Sequence, residues 1–128
     1  PLANTRAEIL ELIALSQAAA ARGQVFSLGY QRRYWSGFRT LKQELASDAW
    51  GPVCAVAQHT VEAWQRTIPG TWRDDPAQNP GGFLGDAGSH KIDMLFHLTG
   101  LPPREVFART WRCGSQVEIV ASVSAVLG

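Results

Sequence analysis

Asp86 and His90 are the two residues whose types and spacing best suit acid–base chemistry. They stand four apart in a stretch that the pattern predicts as helical, so their side chains share one face. A carboxylate beside an imidazole raises the pKa of the ring, fixes its tautomer and lets it exchange a proton near neutral pH. The spacing alone also fits a surface ion pair, which is the more common use of this pattern.

A metal site is a second hypothesis for the same stripe, because Asp93 and His97 continue it. Carboxylates and imidazoles both bind metal ions, but residues two full turns apart cannot reach one ion without another element. No cysteine or further histidine stands nearby in the sequence to complete such a set. The sequence therefore does not favour a metal.

Glycines and a long loop surround these residues. Four glycines stand at positions 81, 82, 85 and 88, where they would let a ligand approach the backbone closely. The start of a helix there would also favour a negative charge nearby. The preceding residues 65–80 contain three prolines and little periodicity, which predicts a loop of a length that is usually functional or disordered.

Hydrophobic periodicity and turn residues predict the elements that position this segment. Thr5 and Glu8 form a capping box at the start of the first helix, and Gly23 stands where that helix should end. Short apolar or alternating runs predict the strands. The predicted helices cover residues 5–22, 36–46 and 81–98, and the predicted strands cover residues 25–29, 53–64, 105–112 and 116–127.

This order of elements predicts an α/β fold, or α+β for this piece. A helix followed across a short turn by a strand is half of a doubly wound parallel unit. The last predicted strand runs to the final residue, so we expect the sheet to be cut off there. The first residue is Pro1 rather than Met, and we expect the chain to be a fragment of a longer protein.

The composition excludes several classes of protein. The 128 residues are 45% hydrophobic and 18% charged, as in folded globular domains and unlike disordered tails. A net charge of +1 gives no reason to expect nucleic acid or an anionic membrane as a partner. No apolar run approaches the roughly 18 residues that span a bilayer. Two cysteines are too few for a disulfide framework, so the simplest location is the cytoplasm.

Four segments, in order, resemble the Gfo/Idh/MocA oxidoreductases, most closely the inositol dehydrogenase branch. The segment 80–100 is similar to the family signature, which is a glycine cluster followed by D-x-x-x-H-x-x-D, apolar residues and Gly. Pro80 departs from that signature where many members have a third glycine. The other resembling segments are Pro1-Leu2-Ala3, similar to the end of the E-K-P motif; Gly29-Tyr30-Gln31-Arg32-Arg33-Tyr34 with Ser36-Gly37; and the pair Trp72-Arg73.

The resemblance implies an internal piece of a nicotinamide-dependent enzyme. Residues 1–29 would be the last helix and strand of a Rossmann domain, which binds the nucleotide. Residues 30–128 would be part of a substrate-binding and dimerisation domain, an open and mostly antiparallel sheet with helices packed on one face. The G-x-G-x-x-G motif, the acidic residue for the ribose and the family's Glu-Lys are not among these residues, so we expect no dehydrogenase activity from the isolated chain.

The resemblance also implies roles for individual residues. In the family a hydride moves between NAD or NADP and a sugar, polyol or related carbonyl or alcohol compound. His90 would be the acid/base on the substrate oxygen, and Asp86 would orient it. Trp72 and Arg73 would lie against the cofactor. Asp93 is expected to be structural, an ionic or capping partner inside the domain, and His97 a partly buried core histidine.

Two other functions stay open at this stage. The first is a non-catalytic module. If the natural protein lacks the cofactor domain, the chain would only bind a sugar or mediate dimerisation. A truncated sheet exposes an apolar face and an unpaired edge, so a homo-oligomer is expected in either case. A small metal-dependent hydrolase is the remaining hypothesis, and it depends only on the Asp/His stripe. The sequence does not identify the substrate or distinguish NAD from NADP.

Overall fold

The computed structural model describes residues 2–47 and 49–128. Pro1, which belongs to the resemblance to the E-K-P motif, lies outside the described residues. Five helices and one antiparallel pair of strands are present in the described part of the chain. They are α1 Arg6–Ala20, α2 Ser36–Leu45, α3 Trp64–Thr67, α4 Gly82–Gly85, α5 Ser89–Thr99, β1 Pro103–Trp111 and β2 Val120–Leu127, with 3₁₀ turns at Gln31–Tyr34 and Trp72–Asp74.

The start of α1 confirms the predicted capping box. Thr5 Oγ1 accepts a hydrogen bond from the backbone N–H of Glu8 at 3.2 Å, and Glu8 Oε2 accepts from the N–H of Asn4 and of Thr5 at 2.9 Å each. The bond from Asn4 is the largest cause that lowers the pKa of Glu8. The helix is followed by Gly23 at φ +71°, a conformation that favours glycine.

Two predicted strands, residues 25–29 and 53–64, are not strands in the structure. Both segments lack regular secondary structure over most of their length, and neither pairs with another described segment. Their side chains are largely exposed, including Val25 and Val61. Extended conformation is a local property, whereas a strand needs a partner to accept and donate its backbone hydrogen bonds. The Rossmann portion of the predicted fold therefore stays a prediction.

The predicted helix 81–98 is in fact two helices, α4 and α5, separated by a turn. Asp86, at φ −81° and ψ −88°, has left the helical conformation, and the N–H of Gly88 bonds to the carbonyl of Phe83 at 2.8 Å. Glycines have the lowest helix propensity apart from proline, so a segment with four of them breaks readily. The helix at residues 36–46 was predicted within one residue.

Two contacts join α5 to the residues around α2. Arg33 Nε donates to Asp93 Oδ2 at 2.9 Å, and the Asp93 side chain is 7% exposed. Lys42 Nζ donates to the backbone carbonyl of His97 at 2.8 Å and lies 3.3 Å from its Nδ1. The first contact confirms Asp93 as a structural ionic partner, and His97 is partly buried as predicted.

The strands β1 and β2 form an antiparallel hairpin in which Val106 pairs with Ala125 and Trp111 pairs with Val120. Both predicted strands are confirmed, although β2 begins four residues later than expected. Almost all of their side chains are exposed. The buried core lies instead beside the start of β2, where Trp64, Ile68 and Val117 pack with partly buried neighbours, which are Phe83, Ala87 and Ile119.

The arrangement of helices beside an antiparallel pair of strands is α+β, as expected for this piece of the chain. In the described residues, none of the helices has the length and apolar character needed to cross a membrane.

Candidate active site

The hairpin fixes the glycine segment that precedes Asp86. Gly82 has φ +52°, and a Cβ atom there would overlap the backbone of Glu118. The neighbouring N–H of Phe83 donates to the carbonyl of Glu118 at 2.7 Å. Only glycine combines this conformation with so close an approach, so the segment lies directly against the chain that leads into β2.

The loop that carries Trp72 and Arg73 is fixed to the same hairpin. The carboxylate of Asp74, which is buried, accepts a hydrogen bond from the N–H of Gln116 at 2.8 Å. Asn79, only 1% exposed, donates from Nδ2 to the carbonyl of Arg73 at 2.9 Å. The predicted loop 65–80 contains most of α3 and a 3₁₀ turn. It is ordered by these buried polar contacts and presents Arg73 toward α4.

Arg73 and Asp86 form an ion pair, with Arg73 Nε 2.8 Å from Asp86 Oδ2. The guanidinium also stacks on its neighbour, with its carbon 4.5 Å from the centroid of the Trp72 ring. Arg73 thus joins the two predicted groups of site residues, one assigned to a cofactor and the other to catalysis. The hydrogen bonds of the described residues include none between Asp86 and His90, so the carboxylate is oriented toward Arg73 instead.

His90 lies in a cavity of about 530 Å³. Asp86 and Arg73 line the same cavity, so the structure brings together three of the four residues that the sequence singled out. The Nδ1 atom of His90 is buried and has no hydrogen-bond partner in the described residues. Its ring meets that of Tyr30 edge to face, with centroids 5.4 Å apart and planes at 87°.

Asp86 also lines a second cavity, of about 560 Å³. Trp72 and Asp86 line it together with the start and the first turns of α1, including Glu8 and Leu12. Trp72 is half-exposed there. Asp86 therefore belongs to both cavities, one shared with His90 and one shared with Trp72.

Sequence reasoning missed four residues of this site. Arg32 and Glu62 line the cavity of His90, Tyr30 packs on the imidazole, and Asn79 holds the carbonyl of Arg73. Arg32 and Tyr30 belong to the segment 29–34, which resembles the Gfo/Idh/MocA oxidoreductases. That resemblance could have identified them as candidate site residues. Glu62 and Asn79 carry no local pattern that distinguishes them from other polar loop residues.

The charges around the cavity also change the pKa of Lys91, the residue after His90. Burial is the largest cause that lowers the pKa of Lys91, the positive charge of Arg32 lowers it further, and Glu62 opposes both. In the described part of the chain, no three His, Cys, Asp or Glu side chains come together as a metal site would require. The cavity is therefore polar, with both signs of charge around one imidazole.

Comparisons with known proteins extend the sequence resemblance. A sequence model of the GFO/IDH/MocA C-terminal domain matches residues 38–128. Inositol 2-dehydrogenase 2 of Paenarthrobacter aurescens is 30% identical over 118 residues, which are 91% of this chain and 32% of that protein. Glucose-6-phosphate 3-dehydrogenase of Bacillus subtilis is 34% identical over 74 residues, 56% of this chain and 21% of that protein.

A further relative is scyllo-inositol 2-dehydrogenase (NADP(+)) IolW of Bacillus subtilis, 28% identical over 88 residues, 69% of this chain and 24% of that protein. The chain spans 32% or less of the length of each of these three relatives.

Proposed function

Because the chain belongs to the GFO/IDH/MocA family, we propose that it is part of an NAD(P)-dependent oxidoreductase that acts on a sugar or polyol. The three relatives are dehydrogenases, two of inositols and one of a sugar phosphate. The observation that carries the proposal is the shared cavity of His90, Asp86 and Arg73. It places a titratable ring, a carboxylate and a guanidinium around one space large enough for a small polar substrate.

His90 is the acid/base in this proposal. Oxidation of an alcohol to a carbonyl removes a hydride from carbon and a proton from oxygen, and His90 takes the proton. The reverse reaction returns that proton from His90 to the carbonyl oxygen. The imidazole suits the task because its ordinary pKa lies near neutral pH and it lines the cavity. Asp86, which belongs to both cavities, binds a hydroxyl of the substrate beside it.

Trp72 and Arg73 bind the nicotinamide cofactor in the proposal, and the donor set fits such a group. The half-exposed indole offers a flat apolar surface, and the guanidinium stacked on it pairs with an amide or phosphate oxygen. Nicotinamide supplies the hydride acceptor or donor when it is bound. The residues of this chain supply the surface next to it and the proton transfer at His90.

The isolated 128 residues are not expected to turn over substrate. No G-x-G-x-x-G motif is present in them, and that motif is what holds the pyrophosphate of a dinucleotide on a Rossmann domain. The domain assignment follows the same reasoning, with residues 1–29 as the end of the nucleotide domain and residues 30–128 as part of the substrate domain. A cytoplasmic location is in keeping with Cys54 and Cys113, both free and exposed.

A role in self-association is the second candidate function, and the hairpin favours it. Phe107, Trp111, Val120 and Val126 are all exposed on β1 and β2, although a two-stranded hairpin alone is marginally stable in water. We propose that this sheet pairs with a second copy of the protein. The assembly is a homo-oligomer in which the hairpin faces its counterpart.

The test of the proposed function uses the complete protein encoded by the reading frame that contains these residues, with the isolated chain as the comparison. Reduction of NAD⁺ and of NADP⁺ is followed with inositols, glucose and glucose 6-phosphate. The proposal expects turnover by the complete protein with at least one of them and none by residues 1–128. A complete protein that neither binds nor reduces a nicotinamide cofactor would contradict it.

A further inference from the structure

We propose that Tyr30, and not a carboxylate, sets the orientation of the His90 imidazole. This inference rests on the proposed role of His90 as the acid/base, and it adds a positioning residue to that role. The two rings meet edge to face at 5.4 Å and 87°. That distance and angle lie in the preferred range for aromatic pairs, in which the positive edge of one ring meets the negative face of the other.

Among the described residues, no hydrogen bond competes with this contact for control of the ring. The Nδ1 atom of His90 is buried without a partner in the described residues, and Asp86 bonds to Arg73. Since the ring has no hydrogen-bond partner in the described part of the chain to orient it, its orientation depends on packing. Tyr30 is half-buried and is the aromatic side chain that stacks with His90, so it defines the plane of the imidazole.

Tyr30 is itself held by the ion pair that joins the 3₁₀ turn to α5. The Arg33 guanidinium carbon lies 5.9 Å from the centroid of the Tyr30 ring, and Arg33 Nε donates to Asp93 at 2.9 Å. Asp93 and His90 are three residues apart on α5. The 3₁₀ turn and the helix are thus joined at two neighbouring points, one aromatic and one ionic.

This geometry has a chemical consequence for the proposed reaction. A carboxylate on Nδ1 would fix one tautomer of the ring, whereas an aromatic edge fixes only its plane. The imidazole then presents a defined direction to the cavity. Loss of Tyr30 would leave the ring free to rotate, and a displaced catalytic group can lower a rate by up to about a hundredfold.

The experiment is histidine NMR on the 128-residue chain labelled at histidine, which contains three histidines. Tyr30→Leu should remove the ring-current shift of His90, and Tyr30→Phe, which keeps the ring, should restore it. The signal of His97, which is partly buried on α5, reports whether the fold is intact in each variant. Tyr34→Leu is the matched control, because Tyr34 is the last residue of the 3₁₀ turn that Tyr30 directly precedes, but it is exposed.

Kinetics of the complete protein form the second arm. Tyr30→Leu should lower kcat by about tenfold to a hundredfold with little change in the KM of the substrate, and Tyr30→Phe should stay close to the unchanged protein. The inference is overturned if the His90 signals do not respond to Tyr30→Leu, or if they respond and kcat does not. If the complete protein has no activity at all, the proposed function fails, while the NMR arm still decides whether Tyr30 holds the ring.

Discussion

Nε of Arg73 lies 2.8 Å from Oδ2 of Asp86, so a single ion pair connects the loop of Trp72 to the segment of His90. The side chains of Arg73 and Asp86 are 44% and 20% exposed, and pairs with that much solvent contact contribute at most about 1 kcal/mol to stability. The pair therefore matters for the placement of the two side chains rather than for the stability of the fold.

The first prediction concerns Arg73→Ala in the complete protein. The KM for the nicotinamide cofactor should rise by about tenfold or more, as expected for the loss of a charge-assisted hydrogen bond. The free energy of unfolding should fall by no more than about 1 kcal/mol. Arg112→Ala is the control, because Arg112 forms a 3.4 Å pair with Glu118 away from the cavities. Equal KM values for the two variants would count against a cofactor role for Arg73.

The second prediction concerns the backbone beneath the site. Gly82→Ala should reduce the free energy of unfolding by at least about 2 kcal/mol, because an added Cβ is strained at φ +52° and overlaps the backbone of Glu118. Gly85→Ala should change it little, since a Cβ at Gly85 has no neighbour within 4 Å. Urea denaturation measures both variants. A Gly82→Ala protein as stable as Gly85→Ala would show that the glycine segment does not lie against β2.

The third prediction is a dependence of stability on pH at His97. Burial lowers the pKa of His97 from its ordinary value of 6.5, the positive charges of Lys42 and Arg33 lower it further, and Asp93 partly opposes them. Because the folded pKa lies below the unfolded one, protonation favours the unfolded chain. The stabilising contribution is therefore complete above pH 6.5 and is lost as the pH falls through the folded value.

Lys42→Met tests this pH dependence by removing the cation that lies 3.3 Å from His97 Nδ1. The NMR titration midpoint of His97 should rise toward 6.5, and the stability should vary less with pH. Arg39→Met, on the same helix α2, should leave the midpoint unchanged. A His97 midpoint at or above the ordinary value in the unchanged chain would show that the ring is not buried against Lys42.

How far the sequence predicts this structure depends on how local each interaction is. The capping box of Thr5 and Glu8 involves neighbours along the chain, so the start of α1 is predictable from residue types. The strand predicted for residues 53–64 requires a partner that no local pattern identifies, and the segment pairs with none of the described strands. The ion pair of Arg73 with Asp86 likewise depends on the path of the chain between them, because the two residues are thirteen positions apart.

The site shows the same division between local and non-local features. The sequence predicted Asp86 and His90 on one face of a single helix. They do line one cavity, but Asp86 lies between α4 and α5 and only His90 is in a helix. That Tyr30 packs on His90 depends on contacts between elements sixty residues apart, such as Arg33 with Asp93. Spacing could not have shown that the carboxylate of Asp86 points toward Arg73.

The fourth prediction concerns self-association through the hairpin. Strand alternation and the register place Phe107, Trp111, Val120 and Val126 on one face. Phe107→Glu should convert the proposed homo-oligomer of the complete protein into monomers, because it replaces an apolar ring on this face by a charge that would lose its hydration in the interface. Trp50→Glu changes an exposed aromatic residue outside the hairpin and should leave the assembly intact. If light scattering finds that the complete protein without substitutions is a monodisperse monomer, the proposed interface is contradicted.

The most direct test of the proposed oxidoreductase site is the effect of His90→Asn on kcat in the complete protein. Removal of the acid/base should lower kcat by about a hundredfold to ten-thousandfold. The control is His97→Asn on the same helix α5, outside both cavities, which should keep kcat within about threefold of the unchanged enzyme. A His90→Asn enzyme that is as fast as His97→Asn would contradict the assignment of His90 as the acid/base.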